Sequence, residues 1–209
     1  MVRILIAEAH EFFRLGLIAI CERHPGWEVV ADTADSERAI QLAEALRPDV
    51  SVIDLSVFEP NGLKAIDHLR LTVPKTRVLV CSDCPVRPVM EKVRRAGASA
   101  FLSKSESPAR FVAAMEGVLA GEPFLASASA FRDYPRLNPA ERVPVHYLLS
   151  EREIAVLRLL ARDYSNREIA QALGLSVRTA ESHLSAIYQR LSVRSRGALL
   201  RLAIRDGLV

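Results

Sequence analysis

Along the first 120 residues, short apolar runs alternate with stretches whose apolar positions recur at helical spacing. The runs Val2–Ala7, Trp27–Thr33, Val50–Leu55, Arg77–Ser82 and Ala100–Ser103 read as strands. Helices are expected between and after them, near Phe12–Arg23, Ser36–Leu46, Gly62–Thr72, Pro85–Ala96 and Ser107–Ala120. Five βα units in about 120 residues predict an α/β doubly wound domain, (βα)5, around a parallel sheet. Ligands and chemistry in such sheets collect outside the carboxyl ends of the strands. The polar residues at those ends are Glu8, Asp54, Ser82 and Lys104.

Beyond Tyr147 the period is helical throughout. Ser150 with Glu153 forms a capping box, Ser165 with Glu168 forms another, and Ser176 opens a third helix. Behind the first cap Ile154, Leu157, Leu159 and Leu160 give an apolar stripe; behind the second, Ile169, Ala170, Leu173 and Leu175 do the same. Gly174 stands where one helix must turn into the next, a place for a positive φ. Ser195 opens a last helix, Arg196–Arg205, closed by Gly207. Between the two patterns Pro123, Pro135, Pro139 and Pro144 interrupt every helical stretch except a short one near Ser127–Asp133. The expected layout is therefore a (βα)5 domain over 1–121, a linker over 122–146 and an all-α helix-turn-helix domain over 147–209.

The third helix of that domain has two unlike faces. Ala180, Leu184, Ile187 and Leu191 recur at i, i+4, i+7 and i+11 and face inward; Arg178, Glu181, Ser182, Ser185 and Gln189 fall on the other side. Short or hydrogen-bonding residues on an exposed helical face suit a major groove, although a polar outer face is also what any solvated bundle presents. The helical pattern alone leaves both readings open. Residues 147–209 hold ten Arg against six Asp and Glu, whereas residues 1–146 hold eighteen Lys and Arg against nineteen acids. The basic surplus lies with the helix-turn-helix, as phosphate binding requires, and is modest enough that a dimer is implied.

The stretch SNREIAQALGLSVRTAESHLSAIYQRLSVRSR resembles the LuxR-type DNA-binding domain of the NarL/FixJ response regulators. Matching positions include Glu153, Ser165, Asn166, Glu168, Ile169, Ala170, Leu173, Thr179, His183, Ile187, Leu191, Val193 and Ser195. The resemblance implies sequence-specific binding of double-stranded DNA, with Arg178, Thr179, Glu181, Ser182, Ser185 and Gln189 as the contacting set. Ala180 and Glu181 stand where the family often has Val-Lys. A glutamate there cannot contact phosphate but can accept from cytosine N4. The resemblance also implies a homodimer through the last helix, with Leu199, Leu200 and Ala203 as the expected contacts.

The first domain resembles the receiver domain of two-component response regulators throughout its length. PDVSVIDLSVFEPNGLKAIDHLR matches the phosphoacceptor region with Asp54 as nucleophile, and RAGASAFLSKSESP the later segment with Lys104 as the cation that would pair with a phosphoryl oxygen. Ser82 matches the hydroxyl that follows the phosphoryl group, and Phe101 the aromatic that reports its position. The resemblance breaks at the metal: the family places two adjacent acids after the first strand, and this chain has Glu8-Ala9. Mg²⁺ takes near-octahedral oxygen ligands and Ala9 offers none. No metal or other cofactor is therefore expected, and Asp54 is expected as a structural partner of Lys104. His10 reads as a solvated residue at a helix start. Phe58 replaces the proline usual four residues after the nucleophile, so the loop Ser56–Asn61 is expected to run differently.

Cys81 and Cys84 form a C-x-x-C after a strand, but an extended strand end holds their Cα atoms too far apart for a disulfide. Cys81 and Cys21 read as small core residues. No apolar run approaches the length of a membrane span, and MVRILIAEAHEFF carries a strand rather than a signal peptide, so a cytoplasmic protein is expected. The reading is an atypical response regulator: DNA-binding, dimeric, not an enzyme, and not switched by ordinary Mg²⁺-dependent phosphorylation. Its rivals are a conventional two-component regulator with Asp54 as phosphoacceptor, a protein whose only chemistry is aspartyl phosphorylation, and an interaction module that titrates a sensor kinase or another regulator.

Overall fold

In the computed structural model the five expected strands form at the expected places: β1 Val2–Ala7, β2 Trp27–Thr33, β3 Val50–Asp54, β4 Arg77–Ser82 and β5 Ala100–Ser103. The structure describes residues 1–58, 62–83, 86–126 and 143–209, and the expected short helix near Ser127–Asp133, like Cys84, lies outside them. A sixth strand, β6 (Leu125–Ala126), joins the edge, and the order β2-β1-β3-β4-β5-β6 is parallel throughout. Every residue of β3 and β5 is buried. Parallel strands covered on both faces read as continuous apolar runs, which is why these segments carry no clean alternation.

The helices are α1 Glu11–Arg23, α2 Ser36–Leu46, α3 Gly62–Thr72, α4 Arg87–Ala96 and α5 Pro108–Ala120. Helices α1 and α5 cover one sheet face, where Leu17, Cys21, Phe111, Met115 and Val118 pack on Ile4, Ile6, Val50, Val52 and Leu79. The alternate residues Leu5, Ile53, Val80 and Phe101 are buried on the opposite face, toward α2, α3 and α4. A 3-10 turn, Leu55–Phe58, follows β3 and buries Phe58, so the chain leaves the strand in a tight turn. Gly97 ends α4 at φ +101°, and a Cβ there would stand 2.4 Å from the Arg70 side chain, so this position takes only glycine without rearrangement.

The chain divides into two compact units, Met1–Arg132 and Asp133–Val209. The second unit is helical: α6 Val145–Leu148, α7 Glu151–Ala161, α8 Asn166–Leu173, α9 Val177–Arg190 and α10 Arg196–Arg205. Both capping boxes form, with Glu153 and Glu168 accepting from the backbone N–H of Ser150 and Ser165 at 2.8 and 2.7 Å. Gly174 turns α8 into α9 at φ +63°. Of the stripe expected on α7, Leu157 and Leu160 are buried together with Val156, while Ile154 and Leu159 are only half-buried. Glu153 is itself buried and also meets the Arg190 guanidinium at 3.2 Å, tying the start of α7 to the end of α9. Glu153→Ala is expected to cost the unit about 1–3 kcal/mol, combining a lost cap with an uncompensated partner, read as a lower denaturation midpoint.

Two described stretches within the segment expected as a linker, 122–146, make tertiary contacts. Leu125–Ala126 pairs with β5, and Val143 and Val145 are buried in the helical unit, where the Val145 N–H donates to Asp206 Oδ2 at 2.6 Å. Backbone pairing of two residues and a four-residue helix depend on tertiary contact, so neither leaves a periodic signal.

Candidate functional site

Parallel strands deliver their carboxyl ends to one edge, and register does the rest. Asp54 pairs with Cys81 and Ser82 with Ser103, so Glu8, Asp54, Ser82 and Lys104 meet above β1, β3, β4 and β5. The Lys104 ammonium lies 2.9 Å from Glu8 Oε1, 2.9 Å from Asp54 Oδ2 and 3.7 Å from Asp83 Oδ2. Glu8, Asp54 and Ser82 are buried, and Phe101 lies fully buried in β5 behind them. Burial works against the ammonium, but hydrogen bonds and charge from Asp54 and Glu8 outweigh it and raise the Lys104 pKa.

Three further residues complete the pocket. His10 was expected to be solvated, and its side chain is 60% exposed, yet its ring is drawn into the cluster: Nδ1 lies 2.9 Å from Glu8 Oε1, 3.9 Å from Asp54 Oδ2 and 3.1 Å from Lys104 Nζ. The cause is backbone geometry. His10 is extended at the N-cap of α1, its N–H donates to Glu8 Oε1 at 2.7 Å, and its side chain caps nothing. Ser56 donates to Asp54 twice, from its N–H to Oδ1 at 3.1 Å and from its hydroxyl to Oδ2. The Phe13 ring lies 5.2 Å from Lys104 Nζ, a cation–π contact. Arg14 holds the strand end by donating to the Glu8 carbonyl at 2.7 Å and to Asp32 at 2.9 Å.

The donor set does not suit magnesium. Of the groups that meet here, Glu8 and Asp54 offer carboxylate oxygens, His10 offers a nitrogen, and Ala9 offers nothing. Magnesium takes oxygens in near-ideal octahedral array and accepts imidazole poorly. Burial pushes the Cys21 thiol up to about 12 and the Cys81 thiol higher still, so neither carries a thiolate at neutral pH.

In the helical unit α9 presents Arg178, Thr179, Glu181, Ser182, Ser185 and Gln189 to solvent, while Ala180, Leu184, Ile187 and Leu191 are buried beneath. Two hydroxyls are partly committed: Thr179 Oγ1 lies 2.8 Å from Ser176 Oγ at the cap, and Ser182 donates to the Arg178 carbonyl at 2.9 Å. Glu181, Ser185 and Gln189 stand at i, i+4 and i+8 along the exposed side. The last helix departs from expectation. Leu199 and Ala203 are fully buried in their own domain, so they are not available to a partner; Leu200 at 38% and Ile204 at 59% exposure are the apolar side chains left outside. Ile204 was not anticipated, although it stands four residues from Leu200 on the same face.

A receiver-domain family model, "Response regulator receiver domain", matches residues 4–116, and one for "Bacterial regulatory proteins, luxR family" matches 147–203. The chain is 33% identical over 214 residues to the transcriptional regulatory protein LiaR of Bacillus subtilis, covering 100% of both chains. A solved LuxR-family two-component response regulator from Aurantimonas is 35% identical, with a TM-score of 0.56 over 59% of this chain and 89% of that one. A structure of RcsB dimers bound to DNA shares the fold at 24% identity and a TM-score of 0.64, covering 97% of this chain and 98% of that one. Among the described residues no helix is long and apolar enough to cross a membrane. The chain belongs to the LuxR-family response regulators, DNA-binding transcription regulators rather than enzymes, with a receiver domain ahead of a helix-turn-helix domain.

Proposed function

We propose that this regulator binds a near-palindromic DNA site as a homodimer in the cytoplasm, and that its receiver is not switched by ordinary Mg²⁺-dependent phosphorylation of Asp54. The observation that carries the DNA reading is the exposed polar side of α9 over a fully buried apolar one. The receiver reading rests on Ala9 and on the pocket contacts, since Lys104 already pairs with both carboxylates a metal would serve. Control then comes from a partner protein, such as a sensor kinase acting by contact or another regulator, or from a ligand at the altered pocket. The conventional reading keeps one support: Asp54 ends β3 with a lysine 2.9 Å away, as a phosphoacceptor requires. Labelled phosphotransfer separates the two.

The DNA reading is tested residue by residue. Glu181→Ala is expected to relax preference at one base pair and cost about 1–3 kcal/mol on the best site. Arg178, in the first turn of α9, is positioned for phosphate, and Arg178→Ala is expected to weaken all sequences alike and lower the salt slope by about one. Binding titrations on a site panel at several salt concentrations read both. Equal loss on every sequence for Glu181→Ala would remove it from the base-reading set.

A further inference from the structure

Charge is divided unevenly over the receiver. Residues 62–97 hold eight Lys and Arg against three acids, whereas the other residues of 1–121 hold seven against thirteen. The surplus gathers on one flank. Helix α4 buries Val89, Met90 and Val93 and turns Arg87, Arg94 and Arg95 to solvent, with Lys92 half-buried at the side. Arg70 of α3 joins them, its side chain lying against Gly97 at the end of α4. Attraction of cations to a helix C-terminus accounts for Arg94 and Arg95 in the last turn, but Arg87 stands in the first, where the helix dipole opposes it. Two acids of this flank sit in exposed pairs, Asp67 with Arg70 at 2.7 Å and Glu91 with Arg94 at 3.2 Å. Such pairs contribute at most about 1 kcal/mol, so both arginines can exchange a carboxylate for another anion.

We propose that this basic flank, centred on Arg87, Arg94 and Arg95, is a second DNA-contacting surface that binds phosphates beside the site held by α9; the inference rests on the DNA reading of α9. Three of the four cations on α4 are arginines, whose planar guanidinium meets phosphate through two parallel hydrogen bonds. Arg87 and Arg94 are seven residues apart, about 10 Å along the helix and within the roughly 12 Å width of a major groove, so the two can reach phosphates on both of its sides. The helical unit holds ten Arg against six acids, so three further cations add substantially to the charge that phosphate can meet. Other partners fit less well. A two-fold contact of this flank with itself would bring like charges together. Basic flank against the acidic side of a second receiver is a heterologous contact, which builds rings or open chains rather than a two-fold dimer. A duplex held by α9, by contrast, has the receiver tethered beside it through the same chain, which raises the effective concentration of one for the other.

The test uses the full chain and a site that it selects from a random duplex pool. Binding is titrated at several salt concentrations on a duplex trimmed to that site and on one extended by about ten base pairs, a helical turn, on each side. The triple variant Arg87→Ala/Arg94→Ala/Arg95→Ala removes only exposed side chains, and its melting curve checks that the receiver stays folded. On the extended duplex it is expected to lower the salt slope by about three per bound chain, one for each lost phosphate contact. On the trimmed duplex it is expected to bind as wild type does. Glu91→Gln, which removes the acid on the α4 face, is expected to strengthen binding to the extended duplex alone. Failure of wild type to select and bind any site would reject the reading of α9 itself. With that binding intact, a triple variant that keeps the wild-type slope on the extended duplex overturns this inference alone. An equal loss on both duplexes overturns it too, because the arginines would then act through assembly. Equal slopes, with wild type but not the variant retained on immobilised poly-glutamate, would overturn it in favour of a dock for an acidic protein.

Discussion

Incubated with acetyl phosphate and magnesium, the wild-type chain stays unlabelled, while the double variant Glu8→Asp/Ala9→Asp takes label on Asp54. This expected result follows from the charges around the nucleophile. Transfer would convert the Asp54 carboxylate, with one negative charge, into an acyl phosphate bearing roughly two, beside the buried Glu8. Two unit charges of like sign about 4 Å apart repel by about 4 kcal/mol at an effective dielectric near 20. Lys104 offers one compensating charge, and it is already shared between Glu8 and Asp54 at 2.9 Å each. Both Asp54 oxygens are occupied as well, Oδ1 by the Ser56 N–H and Oδ2 by Lys104 and the Ser56 hydroxyl. A deficit of about 4 kcal/mol corresponds to about a thousandfold in rate or affinity. The double variant supplies the missing carboxylate at Ala9 and shortens the one at Glu8, so it is expected to regain magnesium binding and labelling on that scale. Mass spectrometry of the intact chain reads the outcome. Ready labelling of the unmodified protein, abolished in Asp54→Asn, would return the chain to phosphorylation-driven switching.

How far the pocket was legible from sequence turns on particular residues. Glu8, Asp54, Ser82 and Lys104 were placed because parallel strands bring their carboxyl ends to one edge, and a βα repeat declares that topology. His10 and Ser56 were assigned no place in the pocket for a shared reason. Each lies two residues after a pocket carboxylate, Glu8 or Asp54, and bends back to it through its own backbone N–H. A carboxylate that accepts from the backbone N–H two residues on is a local turn motif, so the spacing held the signal. What it could not show was that His10 stays extended instead of starting the helix. Phe13 needed the three-dimensional path of α1 over Lys104, which no spacing encodes.

The helical unit divides along the same line. Capping boxes and the Gly174 turn are local chemistry and appear where the residues put them. The inward face of α10 is not local. Ala198, Leu199, Leu200, Leu202, Ala203 and Ile204 are apolar nearly all round, so a 3.6-residue period fits more than one stripe. Packing on α7 selects Leu199 and Ala203 for the core and leaves Leu200 and Ile204 outside.

That selection sharpens the expectation for assembly. Leu200→Glu is expected to abolish cooperative binding to paired half-sites while leaving the helical unit folded. Leu200 and Ile204 stand one turn apart on the exposed side of α10, and Leu200 also lines a cavity with Leu157, Leu160, Ala161 and Gly197 together with the charged Asp163 and Arg196, where a side chain from a second copy would find cover. A two-fold interface presents the same residue from both copies, so one substitution is felt twice. Burying a leucine contributes about 1.5–3 kcal/mol, and losing two such contributions weakens the dimer by about 10²–10⁴-fold. The fold should tolerate the change because the Leu200 side chain already reaches solvent, whereas Leu199→Glu would put a charge in the core and unfold the unit. Sedimentation of the full chain, with binding curves on one and on two half-sites, reads both effects. A Leu200→Glu protein that remains dimeric and binds paired half-sites as tightly as wild type would show that α10 is not the interface.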